Sequence, residues 1–127
     1  MPRGIQISVC LKNEPGALLK VTGALKARRL NIQAISVVDS ADASIVRLMV
    51  TNPSAAKRVL SRYGAVLQPV LILQMSDEVG QLDKITNKLS KAGVNIQYVY
   101  GTAAGGGRPS IIVFGVSDLA KAIKAVG

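Results

Sequence analysis

The chain has 127 residues, of which 49% are hydrophobic and 18% are charged, so it holds one ordinary domain or two small ones and is too apolar to be disordered. It contains no histidine and one cysteine, which excludes histidine-based nucleophile pairs, common zinc sites and internal disulfides. Its formal net charge of +9 attracts nucleic acid or acidic partners only where the charge collects on one face. We expect no metal and no cofactor, and we interpret Cys10 as a small core residue in a reducing compartment.

The first half of the chain predicts the order strand, helix, strand, strand, helix, strand. Aliphatic and β-branched residues predict four strands, at 5–11, 32–38, 44–50 and 65–67. An apolar stripe at helical spacing predicts the first helix, through Leu18, Val21 and Leu25. The second helix starts at Asn52, with Pro53 in its first turn.

The second half of the chain repeats the first. Glu78 lies 64 positions after Glu14, and in the window 14–33 nine of twenty residues are identical to those 64 positions later. The repeat predicts strands at 70–75, 96–100 and 110–116, a helix that carries Leu82, Ile85 and Leu89, and a last helix that starts at Ser117 or Asp118. The glycine-rich hairpin loop 101–109 is two residues longer than its counterpart, and we interpret it as a flexible connector, with a lid over a neighbouring pocket as the alternative.

This order predicts an α+β protein of two ferredoxin-like βαββαβ units side by side, 1–68 and 69–127, each an antiparallel sheet with helices on one face. Residues 65–75 serve as the last strand of the first unit and the first strand of the second, with Pro69 marking an edge or a bulge. The second unit has no counterpart of the fourth strand. The unfilled slot favours pairing with another chain, so we predict a homodimer, the alternative being that the chain was cut short.

No stretch of the sequence predicts a membrane span. The longest apolar runs, such as 70–73, are far shorter than the roughly 18 residues that a span needs. The first four residues lead directly into the pattern of a strand rather than into a signal peptide. We therefore expect a cytoplasmic protein with no membrane partner.

The most informative segments are the turns 12–18 and 76–82, each between a strand and a helix. The first N–H groups of a helix have no partner within it and carry a partial positive charge, so an anion such as a carboxylate docks there. Gly16 and Gly80 allow a ligand close to the backbone, while Asn13 or Asp77 either caps the helix or turns an oxygen toward an ammonium group. Helix capping and a glycine turn without any ligand explain the same residues equally well.

The same segments resemble the signature of the ACT domain. In the first half the resemblance rests on 13–18, Val21, Leu25 and 30–32, and in the second half on 77–82, Ile85, Leu89 and 94–96. It covers about 5–126, and the chain resembles the small free-standing tandem ACT proteins. Val79 in place of proline and the missing last strand depart from the pattern, and both weaken the second copy.

The resemblance implies an amino acid bound at the junction of two units, as an allosteric signal to a metabolic enzyme or regulator. By the pattern of the family, the carboxylate or ammonium group of the ligand would meet Asn13, Glu14, Gly16 and Ala17, or the matching Asp77, Glu78, Gly80 and Gln81. The rest of the site would be lined by Leu18, Leu82, Asn31 and Asn95.

We therefore predict a non-catalytic amino-acid sensor. The one local carboxylate cluster, Asp77, Glu78 and Asp83, has no reaction to perform without histidine or a metal set. The alternative is a dimerising or docking module that has kept the fold and lost the ligand. Nucleic-acid binding is a distant third, because strand aromatics are few, although the ferredoxin-like plan is shared with RNA-binding modules.

Overall fold

The computed structural model describes residues 2–40, 42–76, 79–102 and 109–127. Within these ranges it contains six strands and four helices in the predicted order, and this confirms the α+β class. The elements are β1 (Arg3–Lys12), α1 (Ala17–Ala27), β2 (Ile32–Asp39), β3 (Ala43–Val50), α2 (Pro53–Val59), a 3-10 turn (Ser61–Tyr63), β4 (Val66–Met75), α3 (Gln81–Lys91), β5 (Ile96–Thr102), β6 (Ser110–Val116) and α4 (Leu119–Val126).

The chain divides into two compact units, one of Ile5–Gln68 and one of Pro69–Gly127 together with the segment before Ile5. In the first unit, β3 pairs antiparallel with both β1 and β2. Alternate residues of β1 point to the same side and are buried with the apolar stripes of α1 and α2, as illustrated by Val9, Leu25 and Leu60. Both helices of this unit therefore cover one face of its sheet.

The second unit repeats this plan. β6 pairs antiparallel with β4 and β5, and Phe114 of β6 is fully buried among residues of α3 and α4 such as Leu89 and Ala122. None of the helices in the described ranges is long and apolar enough to cross a membrane.

Cys10 is exposed, so its assignment to the core is wrong. The strand β1 alternates, with Val9 and Leu11 turned into the helix-covered core. Cys10 therefore lies on the opposite face, where its neighbour across the strand pair is the exposed Ile45.

The predicted strands at 65–67 and 70–75 form one strand, β4, which passes through the exposed Pro69. On one side of Pro69, the side chain of Gln68 accepts a hydrogen bond from the buried Gln6 of β1 (3.3 Å). On the other side, the pairing with β6 begins at Leu71. Pro69 thus lies between the two pairings of this strand.

The slot beside β4 is occupied in the structure. The backbone N–H of Ile72 donates a 2.8 Å hydrogen bond to the carbonyl of Pro2, and the segment that contains Pro2 belongs to the second unit. The N-terminal segment of the same chain therefore lies where the sequence indicated an open edge. At this position the chain supplies its own partner, and the homodimer stays a prediction.

Candidate functional site

The turn that leads from β1 into α1 is a type II β-turn. The carbonyl of Glu14 accepts a hydrogen bond from the backbone N–H of Ala17 (3.3 Å). Gly16, in the third position of the turn, has φ 85° and ψ −9°, and Pro15 in the second position has the φ that this turn requires. The Pro-Gly pair therefore sets the direction in which α1 starts.

The N-terminus of α1 is open. No side chain caps it, and its first intrahelical bond runs from the N–H of Lys20 to the carbonyl of Gly16 (3.2 Å). The N–H groups of Leu18 and Leu19 have no acceptor in the described part of the chain. These two polarised N–H donors are therefore available to a group that binds at this end of the helix.

Asn13 does not cap this helix. Its side chain forms no hydrogen bond with any described residue, because the type II turn already orders the backbone that a cap would hold. Of the two roles that the sequence left open for Asn13, capping is thus excluded and a role toward a ligand stays a prediction.

A cavity of about 170 Å³ lies against this turn. It brings together four residues that the sequence predicted as ligand-binding: Asn13, Glu14, Ala17 and Leu18. Gly16 belongs to the same turn but does not line the cavity. Leu18, the first residue of the apolar stripe of α1, is 38% exposed, whereas Val21 and Leu25 are fully buried. Leu18 is thus available as an apolar wall of the cavity.

Five further residues line the cavity and were not assigned to the site from the sequence: Leu11, Lys12, Val37, Ser44 and Val46. Lys12 ends β1 and was within the informative segment. Val37 comes from the far end of β2, which runs back toward the turn, and Ser44 pairs across from Leu11. The predicted sheet indicates that a residue of β3 lies near the turn, but only the observed register shows that this residue is Ser44.

The charges around the cavity are of both signs. Lys12 and Glu14 line it together, and neither forms an ion pair with another described residue. The hydroxyl of Ser44, a residue only 9% exposed, also has no hydrogen-bond partner in the described ranges. The cavity therefore offers a cation, an anion and a hydroxyl that the protein does not use internally.

Asn31 and Asn95 lie away from the turns. Asn31 precedes β2 at the C-terminal end of α1, where its backbone N–H donates to the hydroxyl of Thr51 (3.2 Å). Asn95 forms the same bond with Ser117 (3.0 Å). Each lines a separate cavity, Asn31 with Lys26 and Arg29 and Asn95 with residues of α3. The structure therefore does not bring the two asparagines together with the turn residues.

The second turn repeats the first where it is described. Gly80 has φ 87° and begins α3 with no side-chain cap, and the N–H of Lys84 donates to its carbonyl (3.0 Å). Leu82 is 46% exposed, and its counterpart Leu18 is 38% exposed. Asp77 and Glu78, like most of the loop 101–109, lie outside the described residues. The ligand roles of Gly80, Gln81 and Leu82 stay predictions.

Comparison with known protein families identifies the family of this chain. The family model for the ACT domain pair matches residues 4–126. The chain belongs to the ACT domain pair family. Membership of this family supports a regulatory, ligand-binding role, and the predicted resemblance to tandem ACT proteins is confirmed.

Solved structures share the fold of this ACT domain pair. A crystal structure of a protein from Bacteroides thetaiotaomicron is similar at a TM-score of 0.88 and 28% identity, over 98% of this chain and 87% of that one. The ligand-free regulatory subunit of aspartate kinase from Thermus thermophilus is similar at 0.62 and 20%, over 96% and 89%. Aspartate kinase from Clostridium acetobutylicum is similar at 0.60 and 15%, over 96% and 32%. The search of curated proteins found no match.

Proposed function

We propose that this ACT domain pair is a non-catalytic regulatory protein that binds an amino acid at the turn between β1 and α1 and signals its presence to a metabolic enzyme or regulator. The observation that carries the proposal is the cavity against this turn, which holds unpaired groups of both charges next to free N–H donors of a helix N-terminus. An amino acid is the common metabolite that carries both charges, on two groups attached to the same carbon.

The ligand carboxylate binds at the start of α1. The N–H groups of Leu18 and Leu19 have no internal acceptor, and the positive end of the helix favours an anion by about 0.3 to 1 kcal/mol at an exposed position. Lys12, on the same cavity, adds a full positive charge.

The ligand ammonium group binds the carboxylate of Glu14, with the amide oxygen of Asn13 or the hydroxyl of Ser44 as further acceptors. Leu18 and Val37 provide the apolar wall for the side chain of the ligand. The second turn, around Gly80, is proposed as a second site of the same kind.

Signalling to an enzyme is the part of the proposal that the structural neighbours support. One of them is a regulatory subunit of aspartate kinase and another is described as an allosteric enzyme. A ligand that binds one conformation or assembly more tightly than another shifts the equilibrium toward it. The target enzyme, the homodimer and the cytoplasmic location stay predictions.

A thermal-shift panel of the twenty amino acids tests the ligand. One or a few should raise the melting temperature, because a ligand at 100 times its Kd stabilises the native state by about 2.7 kcal/mol. Glu14→Gln and Lys12→Gln should each weaken that response by about tenfold in affinity, since each removes a charged partner. Lys57→Gln is the matched control, because Lys57 is an exposed lysine of the same unit that lines neither this cavity nor the one described below.

The rival hypothesis is a docking module of the same fold that binds no ligand. It predicts no response to any of the twenty amino acids at millimolar concentration. A response that survives both Glu14→Gln and Lys12→Gln would instead place the ligand elsewhere on the molecule and reject the site.

A further inference from the structure

A second cavity, of about 440 Å³, lies at the other end of α1. It is lined by Arg28, Leu30, Asn52, Ala55, Arg58 and Val59, and it shares no residue with the cavity against the first turn. Arg28 follows the last turn of α1, and the remaining polar residues belong to α2 or its cap. The proposed amino-acid site makes no use of this cavity.

The two arginines are not neutralised by the protein. Neither guanidinium forms an ion pair or a side-chain hydrogen bond with another residue of the described chain. The lining contains no acidic residue, and the amide oxygen of Asn52 is already occupied by the N–H of Ala55 (3.1 Å). Guanidinium groups stay charged at every physiological pH, so this concave surface holds two permanent positive charges beside the apolar Leu30 and Val59.

The repeat supplies an internal comparison. Arg28 corresponds to Ala92 at the offset of 64, and Asn52 corresponds to Asp118 at the offset of 66 that follows the longer loop. Asp118 caps α4 through the N–H of Lys121 (3.0 Å), as Asn52 caps α2. Because an aspartate performs the same capping, the cap does not require a neutral residue at position 52. Compared with the second unit, the first unit thus has an arginine in place of an alanine, at position 28, and a neutral cap in place of an aspartate, at position 52.

We propose that the cavity between α1 and α2 binds the phosphoryl group of a small organic phosphate through Arg28 and Arg58. A phosphoryl group carries a charge near −2 and three acceptor oxygens, which suits two guanidinium groups, whereas a single guanidinium fork already satisfies a carboxylate. Leu30 and Val59 contact the apolar part of the same molecule. The chain would then sense two metabolites, an amino acid at one end of α1 and a phosphate at the other.

Calorimetric titration with pyrophosphate, at constant ionic strength set with sodium chloride, tests the site. Binding should weaken by on the order of tenfold in each of Arg28→Gln and Arg58→Gln, because each removes a charge-assisted hydrogen bond. Lys57→Gln and Lys124→Gln remove one positive charge elsewhere and should leave the affinity within about twofold, since they change only the long-range field. Circular dichroism checks that each variant is folded.

Two further variants use the repeat as a guide. Asn52→Asp keeps the cap of α2, as Asp118 does for α4, but adds a negative charge beside the arginines. It should weaken pyrophosphate binding without loss of thermal stability. Conversely, Ala92→Arg and Lys124→Arg combined with Asp118→Asn should create a second binding equivalent in the second unit, because Lys124 is the counterpart of Arg58.

The outcomes separate this site from the proposed amino-acid site. If the arginine variants lose pyrophosphate binding while their thermal-shift response to amino acids is unchanged, the proposal is supported. The same loss supports it when no amino acid binds at the turn. Pyrophosphate affinity that is unchanged in both arginine variants overturns it. Malonate that binds as tightly as pyrophosphate overturns the phosphoryl assignment, and binding of a single-stranded oligonucleotide without any binding of pyrophosphate overturns the small-molecule assignment.

Discussion

Two glycines of the first unit occupy equally open surroundings but differ in backbone conformation. A Cβ atom added at either Gly16 or Gly23 would meet nothing within 4 Å. Gly16 has φ 85°, in the left-handed region that costs other residues about 1 to 2 kcal/mol. Gly23 lies inside α1 without a positive φ.

Substitution by alanine should therefore change the stability of the protein in opposite directions at these two positions. Gly16→Ala should lower the free energy of unfolding by about 1 to 2 kcal/mol because of its φ. Gly23→Ala should raise it by roughly 0.5 to 1 kcal/mol because alanine loses less backbone entropy in a helix. Urea denaturation measures both. A change of the same sign in the free energy of unfolding of both variants would contradict this account of the turn. Because Gly16→Ala destabilises the protein, milder variants such as Glu14→Gln are the better probes of the site.

At the scale of the elements, the two helices of each unit begin in different ways. α2 and α4 begin with a side-chain cap, from Asn52 and Asp118 respectively. α1 and α3 begin at a left-handed glycine with no side-chain cap. The difference bears on the proposed site, because a side-chain cap occupies N–H groups that an uncapped helix leaves open.

Asp118→Ala should destabilise the protein by about 1 kcal/mol, since it removes the cap of α4 and its favourable charge at the helix N-terminus. Asp118→Asn should cost only a fraction of that, because asparagine caps as well as aspartate does and Asn52 already performs this role in the first unit. The melting temperatures of the two variants, measured at neutral pH, check the order. An equal loss in the two variants would show that the charge, and not the hydrogen bond, stabilises this helix.

At the scale of the whole molecule, the edges of the sheets decide where a second copy can pair. The N-terminal segment already bonds to Ile72 of β4, so that position is taken. In the first unit β2 pairs only with β3 among the described residues, and Ile35 and Val37 on it are 39% and 47% exposed. An exposed edge with apolar side chains is the physical feature that favours pairing with another chain.

We therefore expect a homodimer through β2, and light scattering should give twice the mass of the chain. Ile35→Lys should convert it to a monomer, because a charged side chain at a paired edge is unfavourable. Val99→Lys is the matched control, since Val99 is the counterpart of Ile35 in the repeat and is 46% exposed. A monomer before any substitution, or dissociation by Val99→Lys alone, would reject β2 as the interface.

The repeat, the order of the elements, the two glycine turns and the family could all be predicted, because local periodicity, turn chemistry and helix caps depend on neighbouring residues. Which distant residues meet depends instead on how the strands pair. Val37 and Ser44 join the turn, while Asn31 does not, because strand direction and register place the ends of β2 at opposite ends of α1. Likewise, strand alternation exposes Cys10. The N-terminal segment lies in the slot beside β4, where Ile72 donates a hydrogen bond to Pro2, 70 residues away in sequence.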